Sequence, residues 1–279
     1  MRKTEENIFK ILMILSTVII SSTLFMIVYT IFSKGIGSLS WDMVSKIPEG
    51  GFYIGKGGGI LYAIIGSIYI TIGSTLLGLL ISLPIVIYIN VYAKRNATLA
   101  TITRLSYDIL FGIPSIVYGA FGFAIMVYMG LKTSLLAGII TVTLMIIPIL
   151  VRAIDEVVRV VPEDMSNAVF ALGGTRYETA KIMLRQSIPG IVTAILLSFG
   201  RAIGDAACVL FTAGFTDSIP TSFDQPAATL PLSIFFQLSS PIIEVQNRAY
   251  AAAVILTIIV LVINIVAKKA KKNLSKNKI

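Results

Sequence analysis

Residues 134–150 read SLLAGIITVTLMIIPIL, an apolar run without a single charged side chain. The hydrocarbon core of a bilayer is about 30 Å thick, so a spanning helix needs about 20 consecutive, mainly apolar residues. Five further runs have this character, at residues 8–32, 60–92, 105–129, 191–215 and 250–267. The sequence therefore predicts an all-α integral membrane protein, with six transmembrane helices in one transmembrane domain over residues 1–279.

The composition agrees with this class and excludes several kinds of chemistry. Hydrophobic residues make up 56% of the chain and charged residues 13%, and the mean hydropathy is +0.89. Histidine is absent and Cys208 is the only cysteine, which excludes histidine bases, imidazole metal ligands and intramolecular disulfides. We expect a chain that does no covalent chemistry and holds no metal or cofactor of its own.

The basic residues indicate the orientation. An even number of spans places both termini on one side, and cytoplasmic loops of membrane proteins are rich in Lys and Arg. With both termini in the cytoplasm, 17 basic residues lie inside and five outside. This explains the net charge of +9 without a nucleic-acid partner. The lysine-rich tail from Lys268 onward is expected to lie near anionic lipid.

Residues 50–57, GGFYIGKG, imitate a nucleotide-binding loop. That motif requires Ser or Thr after its lysine to bind Mg²⁺, together with a preceding strand. Gly57 occupies the Ser or Thr position, and the run lies outside the cell in the predicted topology. We interpret it as an external connector, so the chain is not expected to hydrolyse ATP.

The polar segment 151–190, between the fourth and fifth spans, predicts two short cytoplasmic helices around a glycine pair. Gly173 and Gly174 supply a left-handed helix exit, and Thr175 with Glu178 has the spacing of a capping box. The small and apolar residues before the glycines need a partner, which favours docking to another protein over a merely solvated loop.

One arginine lies within a predicted span. Arg201 is eleven residues beyond Gly190, about 17 Å along a helix and near the middle of the membrane. A charge at that depth costs at least about 2.5 kcal/mol and usually marks a function. A guanidinium suits an anion pathway because it stays charged and matches phosphate oxygens. The alternative is a structural ion pair with Asp205, one helical turn further on.

A second open question concerns residues 112–115, Gly-Ile-Pro-Ser, within the third run. Glycine and proline in membrane helices commonly serve close helix packing. They also occur where a helix breaks beside a transport pathway. The sequence leaves both interpretations open.

Residues 167–173, NAVFALG, resemble the EAA motif of bacterial ABC importer permeases, with Asn167 in place of the motif's glutamate. In that family the element is a coupling helix that sits in a groove of the ATP-hydrolysing subunit. The resemblance therefore assigns coupling to a short set of residues: Asn167, Ala168, Ala171, Leu172, Gly173 and Gly174.

Other strings narrow the resemblance to the A-type permease subunit of phosphate ABC importers. They are IPSIVYG at residues 113–119, GRAIGD at 200–205 and LPLSI at 230–234, in the family's order. The resemblance also places Arg152 at a basic cytoplasmic mouth of the pathway, although a residue at the end of a span can simply snorkel. The implied translocation residues are Arg201, Asp205 and Arg152.

The resemblance implies an ATP-driven phosphate importer in a bacterial or archaeal cytoplasmic membrane. Its partners would be a second related permease subunit, an extracytoplasmic phosphate-binding protein and two ATPase subunits that hold ATP and Mg²⁺. Three alternatives stay open. They are an importer for sulfate, molybdate or tungstate, a passive anion channel of self-associated chains, and a membrane scaffold.

Overall fold

The computed structural model describes residues 2–48, 58–93 and 97–275. Within these ranges the chain forms ten α-helices and no strand. The GGFYIGKG run at residues 50–57 lies outside the described residues. The helices are α1 Arg2–Gly35, α2 Trp41–Ser45, α3 Leu61–Ile87, α4 Thr98–Phe111, α5 Ser115–Tyr128, α6 Leu135–Arg159, α7 Glu163–Ala171, α8 Arg176–Gly204, α9 Leu230–Leu238 and α10 Ile243–Ser275.

Five of these helices, α1, α3, α6, α8 and α10, are long and apolar enough to cross a membrane. The third expected span, over residues 105–129, is not one straight helix. It falls on α4 and α5, which meet at 98° and qualify as a span only when taken together. The chain is therefore a multi-pass membrane protein with five or six spans.

The bend between α4 and α5 shows that residues 112–115 break a helix. Gly112 ends α4, and Pro114 has the extended ψ of 142° immediately before α5. Proline lacks an N–H and disfavours helical geometry at the preceding residue, so the helix ends there. This Gly-Ile-Pro-Ser run breaks the helix, whereas Pro84, Pro148 and Pro189 lie inside continuous helices.

Two boundaries differ from those expected between the fourth and fifth spans. α6 extends to Arg159, and α8 begins at Arg176 and continues into the membrane. The expected pair of short cytoplasmic helices is therefore one short helix, α7, followed by the first turns of a long one. At its other end α8 ends at Gly204 rather than near residue 215, and residues 205–229 form no α-helix.

The centre of the fold is the packing of α3 and α8 against α6. α6 buries large apolar side chains at helical spacing, namely Val142, Ile146, Leu150 and Ile154. α3 presents small hydroxyl residues to the interior, namely Ser67, Thr71, Ser74 and Ser82. Small residues let the backbones of membrane helices approach closely.

Gly66 shows how close this approach is. A Cβ at Gly66 would overlap the carbonyl oxygen of Ala228, and the adjacent Ser67 hydroxyl accepts the N–H of Leu230 at 2.8 Å. The N-terminal part of α3 is thus packed closely against the chain that leads into α9.

We predict that Gly66→Ala destabilises the purified protein by about 1–3 kcal/mol, the usual cost of overpacking. The added methyl meets a backbone atom, which cannot rotate away. Thermal unfolding in detergent measures the effect. Gly37→Ala is the control, because a Cβ there meets nothing within 4 Å. Equal midpoints for the two variants would contradict the close approach.

Candidate functional site

Arg201 lies one turn before the end of α8 and its side chain is exposed. Among the described residues it has no ion pair or hydrogen bond. Leu197, Arg201 and Gly204 are all exposed and are spaced four and three residues apart, so they share one face of α8. A charged side chain in a spanning helix normally faces protein or water rather than lipid. This face of α8 is therefore available to a protein partner or an aqueous pathway.

Asp205 does not pair with Arg201. It follows the last residue of α8, and its Oδ1 accepts the backbone N–H of Cys208 at 2.8 Å. The alternative of an Arg201–Asp205 ion pair required α8 to continue for another turn. Because the helix ends at Gly204, Asp205 instead caps the irregular segment that follows.

Arg152 contacts neighbours on α6 and at the end of α4. Its Nη1 lies 3.4 Å from Asp108 Oδ1 and its Nε lies 3.3 Å from Glu156 Oε1. Its guanidinium also stands 5.0 Å from the centre of the Phe111 ring. These contacts link α6 to the end of α4, and none of those described joins Arg152 to Arg201.

The most elaborate polar arrangement surrounds Asp155, whose side chain is only 1% exposed. Its Oδ2 accepts from Tyr107 Oη at 2.7 Å and Arg104 Nε at 3.0 Å. Its Oδ1 accepts from Asn90 Nδ2 at 2.6 Å and Arg104 Nη2 at 3.3 Å. A buried carboxylate is tolerated only when it is paired and fully hydrogen-bonded, and both conditions hold here.

These four residues join three elements. Asn90 lies in a π-helical turn, Tyr88–Tyr92, that continues α3, while Arg104 and Tyr107 belong to α4 and Asp155 to α6. The sequence pattern pointed to Arg152 and not to Asp155, three residues further on. The available signal was a carboxylate close to a 17-residue apolar run, because an acidic side chain in a membrane helix requires a partner.

Residues 167–174, which are expected to form the coupling segment, present an exposed surface. Leu172 is 90% exposed and Phe170 47%. Asn167, Ala168 and Ala171 are also exposed, whereas Val169 is partly covered. On the inner side, Ser166 Oγ lies 3.7 Å from Met183 Sδ of α8. The helix therefore rests on α8 and leaves the residues expected to couple free for a partner.

The turn from α7 to α8 is specified by adjacent residues. Gly173 has φ of +79°, a region that side chains rarely enter, and a Cβ at Gly174 would overlap Val169. Thr175 then caps α8, since its Oγ1 accepts the N–H of Glu178 while Glu178 Oε2 accepts the N–H of Thr175 at 2.6 Å. The predicted left-handed exit and capping box are both confirmed.

Comparisons with known proteins agree with this architecture. Residues 74–278 match the family model described as binding-protein-dependent transport system inner membrane component. The phosphate transport system permease protein PstA of Yersinia pestis is 34% identical, over 93% of this chain and 88% of its own length. The protein of the same name from Haemophilus influenzae is 34% identical, over 95% and 93%.

A solved structure is similar in fold. The inward-facing methionine ABC transporter MetNI, in its CY5 native crystal form, includes a chain that aligns with a TM-score of 0.62 at 20% identity. The alignment covers 77% of this chain and 95% of that one. This likeness shows that the helices are arranged as in an ABC importer permease.

We predict that Asp155→Ala destabilises the protein by about 3–5 kcal/mol, because the largely buried Arg104 charge would lose the carboxylate that neutralises it. The thermal midpoint and the yield of assembled complex measure the loss. Asp108→Ala is the control, since its exposed pair with Arg152 contributes at most about 1 kcal/mol. If the two variants lost the same stability, the Asp155 network would not be a structural anchor.

Proposed function

The chain belongs to the family of binding-protein-dependent transport system inner membrane components, and on that premise we propose that it is the permease subunit of an ATP-driven importer of inorganic phosphate. It forms half of the translocation pathway and does no covalent chemistry itself. The observation that carries the proposal concerns Arg201. Its guanidinium is exposed on a spanning helix and has no ion pair or hydrogen bond among the described residues.

Arg201 serves as the anion site of the pathway. Its exposed face of α8 would be costly against lipid, so a second, related permease subunit covers it and the pathway runs between the two chains. Guanidinium N–H groups match the oxygens of a tetrahedral anion and stay charged at every relevant pH. Since no acidic side chain of the described residues neutralises Arg201, its charge is available to phosphate. Asp205 shapes the exit of α8, and Arg152 lines the cytoplasmic mouth together with its acidic neighbours.

The coupling helix α7 docks on a cytoplasmic ATPase subunit. Its exposed Leu172 and Phe170 supply apolar contact, while Asn167, Ala168 and Ala171 allow close approach. These side chains are exposed among the described residues, so a partner can bury them. Two such ATPase subunits bind ATP and Mg²⁺, one on each permease chain.

Movement of α7 reaches the pathway through α8. The Gly173-Gly174-Thr175 turn fixes α7 to the start of α8, which continues without a break to Gly204. Arg201 is 25 residues beyond Arg176, or about 38 Å at 1.5 Å per residue. A push on α7 by the ATPase therefore tilts the helix that carries the anion site.

The remaining assignments follow from the same proposal. An extracytoplasmic phosphate-binding protein delivers the ion to the outer face, and both termini lie in the cytoplasm of a bacterial or archaeal cell. Residues 1–279 act as one transmembrane domain. Another oxyanion would satisfy Arg201 equally well, so the experiment below includes sulfate and molybdate. A passive channel would leave the exposed surface of α7 without a role.

We predict that Arg201→Ala slows the initial uptake of labelled phosphate by about 10- to 100-fold, because a hydrogen bond to a charged group contributes about 1.5–3 kcal/mol. The assay uses phosphate-starved cells that lack the native chain and carry each variant. Arg201→Lys should retain part of the activity. Lys132→Ala, in the exposed loop before α6, is the matched loss of one positive charge and should transport normally.

Each other outcome has a defined meaning. Normal uptake by Arg201→Ala, in an assembled complex, would remove Arg201 from the pathway. Loss of sulfate or molybdate uptake instead of phosphate uptake would show that the substrate assignment is wrong. Phosphate entry that persists after ATP depletion would support a passive channel.

We predict that Gly173→Val weakens co-purification of the ATPase subunit, whereas Gly173→Asn retains it. Space is not the reason, since a Cβ at Gly173 meets nothing within 4 Å. The φ of +79° costs a β-branched residue about 1–2 kcal/mol, whereas asparagine enters this region readily. Equal co-purification by both variants would show that the turn does not position α7.

A further inference from the structure

A cleft of about 320 Å³ lies on the cytoplasmic half of the molecule, away from the exposed surface of α7 and from Arg201. It is bounded by the end of α6, the start of α7, the middle of α8 and the tail of α10. Its lining is mainly apolar, with one cation and one amide: Val157, Val160, Val161, Pro162, Met165, Gln186, Pro189, Gly190 and Lys271.

The predicted spans place the cleft near the inner membrane surface. Three of them have their cytoplasmic ends near residues 150, 191 and 267, and the lining residues lie at these ends or within 15 residues of them. Lys271 belongs to a run of lysines on α10 that follows the sixth span. The cleft therefore opens where lipid phosphates meet the hydrocarbon core.

The lining has an apolar part and a cationic part, which match the acyl chains and the headgroup of an anionic phospholipid. Val160 is 81% exposed although it is a branched apolar residue at the end of a spanning helix. Lys271 is exposed, and among the described residues it has no ion pair or hydrogen bond. The Gln186 side chain adds an N–H donor at the same opening. An acyl chain would cover the valines while a phosphate accepts from lysine and glutamine.

We propose that this cleft binds an anionic phospholipid of the inner leaflet, with its headgroup at Lys271 and an acyl chain against Val157 and Val160. The cation selects an anionic headgroup over a zwitterionic one, because basic residues near a membrane surface attract anionic lipid. The proposal holds whichever ion the permease transports.

The position of the cleft would let a bound lipid contact the start of α7, the helix proposed to couple the permease to the ATPase. Pro162 and Met165, at the start of α7, form part of the wall. At its floor, Gly190 of α8 has no side chain, and a Cβ there would overlap Val157 of α6. An occupant thus contacts both the scaffold helix α6 and the helix that docks on the ATPase.

Photocrosslinking of the assembled complex tests the proposal. The complex is placed in phosphatidylcholine nanodiscs with a trace of phosphatidylglycerol that carries a diazirine in its acyl chain. Residues 160–176 form one tryptic peptide, because no Lys or Arg lies between Arg159 and Arg176. We expect the probe to label this peptide, and Lys271→Gln to reduce labelling about fivefold, a factor equivalent to about 1 kcal/mol.

Lys269→Gln is the matched control, since it removes the same charge from the same exposed tail without lining the cleft. It should leave labelling almost unchanged, and excess phosphatidylglycerol should compete. Equal losses for the two variants would mean that the lysine-rich tail attracts lipid generally and not through the cleft. Equal labelling by a phosphatidylcholine probe would mean that the cleft does not select the headgroup. Competition by inorganic phosphate alone would mean that the cleft binds free phosphate rather than a lipid. Each of these three results would overturn the proposal.

Discussion

The Asp155 carboxylate constrains the region where the end of α3, α4 and α6 meet. Burial removes its hydration, and its four hydrogen bonds come from side chains on a π turn and on α4. Losing any one of those donors would leave part of a buried charge unsatisfied, which costs more than an ordinary hydrogen bond contributes. The network therefore fixes where α3 ends and how α4 lies across α6. The break at Pro114 then lets α5 leave at 98° without disturbing that anchor.

This anchor divides the molecule into a fixed part and a part suited to move. α3, α4 and α6 are held to one another by the buried network and by small hydroxyl residues at close approach. α7 rests on α8 through Ser166 and Met183, Met165 and Val169 are partly buried, and its other side chains are exposed. A displacement applied to α7 therefore passes to α8 more readily than to α6, and α8 carries Arg201.

Much of this arrangement could be predicted from the sequence, because membrane spans and helix caps depend on local patterns. Five apolar runs lie on long apolar helices, and the Gly173 exit and the Thr175 cap lie where the spacing predicts them. The end of α8 could not be predicted, since apolar residues continue to Phe215 while the helix ends eleven residues earlier, at Gly204, and Asp205 accepts the N–H of Cys208. The Asp155 network was also missed, because its donors are 48 to 65 residues away in sequence and only folding brings them together.

Arg201 and Asp155 show two different solutions to one problem. Both are charges on helices able to span the membrane, where an unpaired charge is costly. Asp155 is neutralised within the chain by Arg104, and both of its carboxylate oxygens are fully hydrogen-bonded, so it cannot bind a ligand as well. Arg201 has no ion pair or hydrogen bond among the described residues and lies on an exposed face, so its charge is open to a partner chain or an anion. A structural charge is satisfied within the folded subunit, whereas in the proposed role the charge of Arg201 is compensated by the transported anion.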